Sequence, residues 1–240
     1  MSYIKCWAAS ESQSEVLMKQ AIVFLFKIAL VAFSCLVGWW AVTVPVSSAM
    51  NLSIIVGGVL LVFPLTWLGR IIIDRHYTMG CVTWVTTFEH FTLSILFGIA
   101  IARAIITHRD WSGWLLPVPS TVGFLLAVIA GAALLFVIVN LALKGLGAPF
   151  YIAFSRKLAV DWLYAWTRNP MVLSVLAFGL SLGIWFQSVL FMLWALILFT
   201  PAYLFFVKVY EERELEFRFG ASYLEYKSKT PMLLPRRPRG

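Results

Sequence analysis

Residues 171–207 run for 37 positions without one Asp, Glu, Lys, Arg or His. A water-soluble fold cannot cover so long a stretch, whereas a hydrocarbon core about 30 Å thick takes about 20 apolar residues per helix. The run is too long for one crossing and slightly short for two full ones, so one of the pair is expected to be tilted or incomplete. Gln187 and Ser188 divide it. It reads as a helical hairpin near the end of the chain.

Four more stretches carry the same signal. Residues 21–44 are broken only by Lys27, and residues 52–69 and 121–143 hold no charge. Residues 82–106 contain Glu89, His90 and Arg103. With 61% of residues hydrophobic and 12% charged, no separate polar domain fits into 240 residues. The first apolar run is too long for the 7–15-residue h-region of a secretory signal, so it reads as a span. The expected fold is all-α: a polytopic membrane helical bundle of about six transmembrane helices, with a C-terminal hairpin and an amphipathic tail. Residues 1–240 form a single integral membrane domain, in which residues 1–144 supply four spans.

Lysine and arginine orient it. With six spans and the N-terminus inside, sixteen of the nineteen Lys and Arg residues fall on the inner side. Arg103 and Arg109 lie near an outer loop, and Lys27 lies within the first span. The net charge of +8 is then a property of the cytoplasmic face, suited to retention there and to anionic lipid headgroups. Nucleic acid is not an expected partner, because no basic domain stands apart from the spans.

Few motifs offer chemistry. Cys6, Cys35 and Cys81 have no zinc or disulfide spacing. Gly-x-Ser-x-Gly, His-Glu-x-x-His and Walker patterns do not occur. Glu89 and His90 lie at membrane depth, where ionisable groups face a cavity or a partner; they could line a substrate pocket or pair with Arg70 or Arg75.

The ends of the hairpin are richer. Before it, Gly145 and Gly147 can end a helix, Pro149 prevents its resumption, and Arg168-Asn169-Pro170 opens the next one with Pro170 in its first turn. Amides at such a start can hold an anion, and Tyr164 and Trp166 offer flat faces for stacking on an adenine. After it come Glu211 and Glu212. At the C-terminal end of a helix two carboxylates oppose the dipole, so they need Arg and Lys or a cationic ligand. Glu214 and Glu225 read as solvated tail positions.

Together the two segments resemble the isoprenylcysteine carboxyl methyltransferase family, which is related to membrane phosphatidylethanolamine N-methyltransferases. The resemblance covers about residues 145–235. Its parts are Tyr164-Ala165-Trp166-Thr167-Arg168-Asn169-Pro170, then Glu211-Glu212, then Phe219-Gly220-Ala221-Ser222-Tyr223-Leu224-Glu225-Tyr226. Asn169 stands where that family usually has His, and Val172 where it often has Tyr.

The resemblance implies an enzyme using S-adenosyl-L-methionine in a cytoplasm-facing pocket. Residues 145–240 would supply the cofactor loop, the hairpin and the motif tail. Leu158, Tyr164, Asn169 and Pro170 would line the cofactor from one side and Glu211 and Glu212 from the other, with Gly145 and Gly147 letting backbone come close. Arg168 and Asn169 would be the catalytic pair, and no metal is implied. The acceptor would be a lipophilic small molecule or a lipid: an isoprenylcysteine-like carboxyl, a phospholipid amine or a small thiol. A bacterial cytoplasmic membrane is the expected location, with the endoplasmic reticulum as the alternative. Two other classes stay open at this point. One is an NADPH-dependent sterol-type reductase, for which Arg156, Lys157 and Arg168 could hold a 2′-phosphate. The other is a non-enzymatic assembly or transport protein.

Overall fold

The computed structural model describes residues 13–108, 114–143 and 158–237. Among these the regular elements are helices. We number the helices α1 (Gln13–Thr43), α2 (Ser48–Arg75), α3 (Met79–Thr107), α4 (Ser120–Leu143), α5 (Leu163–Trp166), α6 (Pro170–Trp185), α7 (Val189–Phe219) and α8 (Ala221–Lys229).

Five of them, α1 to α4 and α7, are long and apolar enough to cross a membrane. The sixth apolar helix, α6, has only 16 residues, about 24 Å at 1.5 Å per residue. The hairpin thus pairs a short arm with a long one. Leu25, Leu36, Leu125, Ile129, Leu135 and Ile197 are all exposed. Apolar surface on that scale is stable only in lipid, and the protein is an integral membrane protein.

The core lies where α2, α3 and α7 meet, around Ile55, Val59, Val62, Ile73, Val82, Phe191 and Tyr210. Two of these helices widen locally into π-helical turns, at Ser53–Gly57 in α2 and at Ala195–Phe199 and Val207–Glu211 in α7. The Trp194 indole donates to the Ile55 carbonyl, 3.1 Å away, within the first of these turns. Pro201 cannot donate an N–H to α7; just before it, the Thr200 hydroxyl donates to the Ala195 carbonyl at 2.7 Å.

Helix α4 packs along α6. A Cβ on Gly123 would lie 2.1 Å from the Trp185 nitrogen, so only a residue without a side chain lets the two backbones approach. At that end, the hairpin turn is tied to the segment before α4. Gln187, with a positive φ of 53°, accepts from the Leu116 N–H and donates through Nε2 to the Val118 carbonyl, at 2.9 and 2.8 Å. Gln187 and Ser188 therefore form the turn that divides the apolar run. Arg103 is buried nearer the opposite end of α3 from the charged tail, and its Nη2 donates to the Val44 carbonyl at 2.6 Å.

Candidate functional site

Helix α7 does not stop where its apolar residues do. Glu211 and Glu212 were expected at a helix end, yet the helix continues through Glu212–Phe219, eight residues further. The dipole penalty therefore does not apply to them. Their charge is met from the side instead. Glu212, almost wholly buried, forms ion pairs with Arg168 Nη2 at 2.9 Å and Lys227 Nζ at 2.7 Å. Lys227 also holds Glu216 at 3.0 Å, and Arg213 bridges Glu216 at 3.3 Å and Asp74 at 2.8 Å. Asp74 pairs in turn with Arg70, whose Nη1 donates to the Val209 carbonyl at 2.9 Å.

One chain of alternating charge thus runs from the segment before α6, across α7 and α8, to the end of α2. Arg70 is engaged there and not by Glu89, which sits over Gly69; a Cβ on that glycine would fall 2.2 Å from Glu89 Oε1. The His90 ring meets the Thr86 carbonyl through Nδ1 at 2.9 Å. Glu214 is not a solvated tail residue either. It is 0% exposed and pairs with Arg218 at 2.9 Å. It follows the buried Phe206 and Tyr210 at four-residue steps and so lies on the face of α7 that turns inward.

Gly220, at a φ of +53°, breaks the chain between α7 and α8, a backbone angle that suits a residue without Cβ. Helix α8 and the residues after it then fold back over the segment before α6. The Tyr226 hydroxyl donates to the Tyr164 carbonyl at 2.7 Å. The Arg168 N–H donates to the Pro231 carbonyl at 2.9 Å, and the Arg236 N–H to the Trp166 carbonyl at 3.0 Å. The Thr167 hydroxyl and Asn169 Nδ2 both donate to the Met232 carbonyl, at 3.1 and 3.0 Å. Pro170 opens α6 as expected, with Asn169 at its N-cap.

Arg168, Asn169, Pro170, Tyr164, Glu211 and Glu212 are therefore on the segments that the charged end brings together. Leu158 is half-buried at the start of the same segment, and Trp166 is exposed. Gly145 and Gly147 lie outside the described residues, as do Arg156 and Lys157. Three side chains at this end keep unused capacity. Nε and Nη1 of Arg168 are buried and have no hydrogen-bond partner, and Oε1 of Glu212 meets Arg168 as an ion pair without a hydrogen bond. Glu211 is half-buried and makes no ion pair among the described residues. Burial, and then the charge of Glu211, push the Tyr164 phenol up from its ordinary value. Burial and Glu212 do the same at Tyr223. Both phenols therefore stay protonated and can only serve as neutral hydrogen-bonding groups at physiological pH. An open cleft of about 320 Å³ adjoins them, lined by Val160, Ala165, Ser222, Glu225, Tyr226, Lys229 and Thr230. Among the described residues no group of His, Cys, Asp and Glu could hold a metal ion.

Sequence reasoning passed over Lys227, Glu216 and Thr167. Lys227 reaches Glu212 across the break at Gly220, so no helical spacing announces the pair. Thr167 lies inside the quoted motif and could have been singled out beside Arg168.

The chain is similar to Methanethiol S-methyltransferase 2 of Bradyrhizobium diazoefficiens, with 27% identity over 205 residues, covering 82% of this chain and 64% of that protein. It thus spans less than two thirds of that relative's length. No family model matches the chain, and no solved structure does.

Proposed function

We propose that this protein is an integral membrane methyltransferase that uses S-adenosyl-L-methionine and acts on a lipophilic acceptor. One observation carries the reading. The Arg168 side chain has its buried Nε and Nη1 unpaired, and Glu211, the neighbour in sequence of the Glu212 that holds Arg168, makes no ion pair among the described residues. Those are the two handles an amino-acid group requires: a guanidinium edge for its carboxylate and a carboxylate for its ammonium. The orphaned Arg168 nitrogens therefore fit the cofactor.

The cofactor supplies a methyl group on a sulfonium, which passes to a nucleophile of the acceptor as the carbon–sulfur bond breaks and a neutral thioether leaves. The chain's own residues need only bind, align and exclude water. Arg168 and Glu211 would fix the amino-acid end, and Glu212 would hold Arg168 in place. Tyr164, with Leu158, Asn169 and Pro170, would border the remainder. The relative's name gives methanethiol as its acceptor, and the family resemblance gives an isoprenylcysteine carboxyl; a small or lipid-borne thiol fits both the apolar hairpin and that name. The acceptor would enter laterally from lipid, each buried CH₂ favouring it by about 0.8 kcal/mol. The charged end would face the cytoplasm, as the placement of Lys and Arg supports.

Calorimetry on the purified protein in detergent tests this. Wild type should bind S-adenosyl-L-methionine, and Arg168→Gln and Glu211→Gln should each weaken it by about 10–150-fold, the equivalent of about 1.5–3 kcal/mol for a hydrogen bond to a charged group. Unchanged affinity in both variants, or binding of NADPH in place of the methyl donor, overturns the reading.

A further inference from the structure

The three residues around Arg168 do more than border a site. Residues 167, 168 and 169 each donate one hydrogen bond to two successive carbonyls of the tail. Arg168 N–H takes Pro231 O at 2.9 Å, while Thr167 Oγ1 and Asn169 Nδ2 converge on Met232 O at 3.1 and 3.0 Å. A carbonyl oxygen has two lone pairs, and these two donors use both. The Arg236 N–H closes the strap on the far side, at the Trp166 carbonyl.

Asn169 gives up a local bond to do this. It occupies the N-cap of α6, where an Asn side chain ordinarily accepts from an amide of the first turn, yet it makes no such bond. Its amide is turned to the tail instead. Thr167 is buried as well. At its other end, Arg168 is held through Nη2 by Glu212, and Glu212 by Lys227 of α8. Backbone and one guanidinium nitrogen are thus both fixed by the tail and its contacts, which leaves Nε and Nη1 in a set direction.

We propose that Thr167 and Asn169 are positioning residues that clamp the Met232 carbonyl and thereby aim the free edge of Arg168 at the carboxylate of a bound ligand. The inference rests on the cofactor reading above. The clamp is built from donors that do not titrate across the neutral range. A His at position 169 would not share that property.

The experiment compares two probes on the detergent-purified full chain: S-adenosyl-L-methionine, and 5′-methylthioadenosine, which lacks the amino-acid group. Thr167→Val should weaken the first by about 3–10-fold, the span of one net hydrogen bond, and leave the second unchanged. Thr167→Ser should restore it. In an Arg168→Gln background, Thr167→Val should cost nothing further, because the residue it aims is gone. Should Thr167→Val not fold, Asn169→Leu is read in the same way. Equal loss on both probes, additive loss in the Arg168→Gln background, or no loss overturns the clamp. Wild type that fails to bind S-adenosyl-L-methionine overturns the cofactor reading and the clamp with it. Binding that responds to Arg168→Gln but not to Thr167→Val sinks the clamp alone.

Discussion

The apolar hairpin and the charged end that follows it are consecutive in the chain and are held together by opposite means. From α6 into α7 the structure relies on shape: Gly123 lets backbones meet, Trp194 reaches the Ile55 carbonyl of α2, and Phe191 lies in the same buried core. Past Val207 it relies on charge, with Arg168, Glu212, Lys227, Glu216, Arg213, Asp74 and Arg70 linked in sequence. Lipid explains the division. Inside hydrocarbon there is little hydrophobic gain between helices, so close packing decides their association. At the membrane edge water competes for polar groups, and a paired, partly buried network can order loops that have little apolar surface to bury.

The comparison breaks most visibly at Glu214. Glu214→Ala removes the carboxylate that Arg218 holds at 2.9 Å and leaves a void at a fully buried position. Loss of one member of a buried pair costs about 3–5 kcal/mol, so thermal unfolding in detergent should shift strongly downward. In the hairpin the sensitive change is one of volume. Gly123→Val places carbon where the Trp185 backbone already lies, and overpacking of this kind costs about 1–3 kcal/mol. Glu214→Ala unfolding like wild type, or Gly123→Val without effect, would mean that charge and shape do not divide the molecule in this way.

How far each half was legible follows the same division. The spans could be read because a bilayer demands apolar length, and Gln187 and Ser188 mark the turn as read. The site was legible as segments: Arg168, Glu211 and Glu212 lie on pieces that meet. Their environment was not. A helix that runs on to Phe219 looks, from composition, like one that stops at Val207, and only because it runs on does Glu214 share the inward face of Phe206 and Tyr210. The bond from Asn169 to Met232 joins positions 63 apart, which no local pattern encodes.

Alkaline pH sharpens the comparison from the charged side. Burial would lower the Lys227 ammonium, but Glu212 and Glu216 outweigh it and leave it above its ordinary value. Its contribution is therefore fully present below lysine's usual pKa of about 10.4 and is lost as pH rises through the raised one. Limited proteolysis should leave α8 intact from neutral pH to about pH 10 and cut it more readily beyond. Lys227→Met should be cut at every pH. Equal cutting of wild type and variant at pH 7 would remove Lys227 from the latch.

The smallest effect is expected at Glu225, which is exposed and pairs with Lys229 one turn on, at 2.7 Å. Lys229 holds the carboxyl below its usual value, but an ion pair in open water is screened and adds little. Glu225→Gln should leave the melting temperature where it was. It should also leave affinity for S-adenosyl-L-methionine unchanged, because the handles proposed for that ligand are Arg168 and Glu211. Glu225 does, however, line the cleft beside Tyr226 and Ala165. A loss of affinity in Glu225→Gln with unchanged melting would extend the ligand into that cleft. The division between a buried, charge-latched site and a solvated tail would then have to be redrawn along α8.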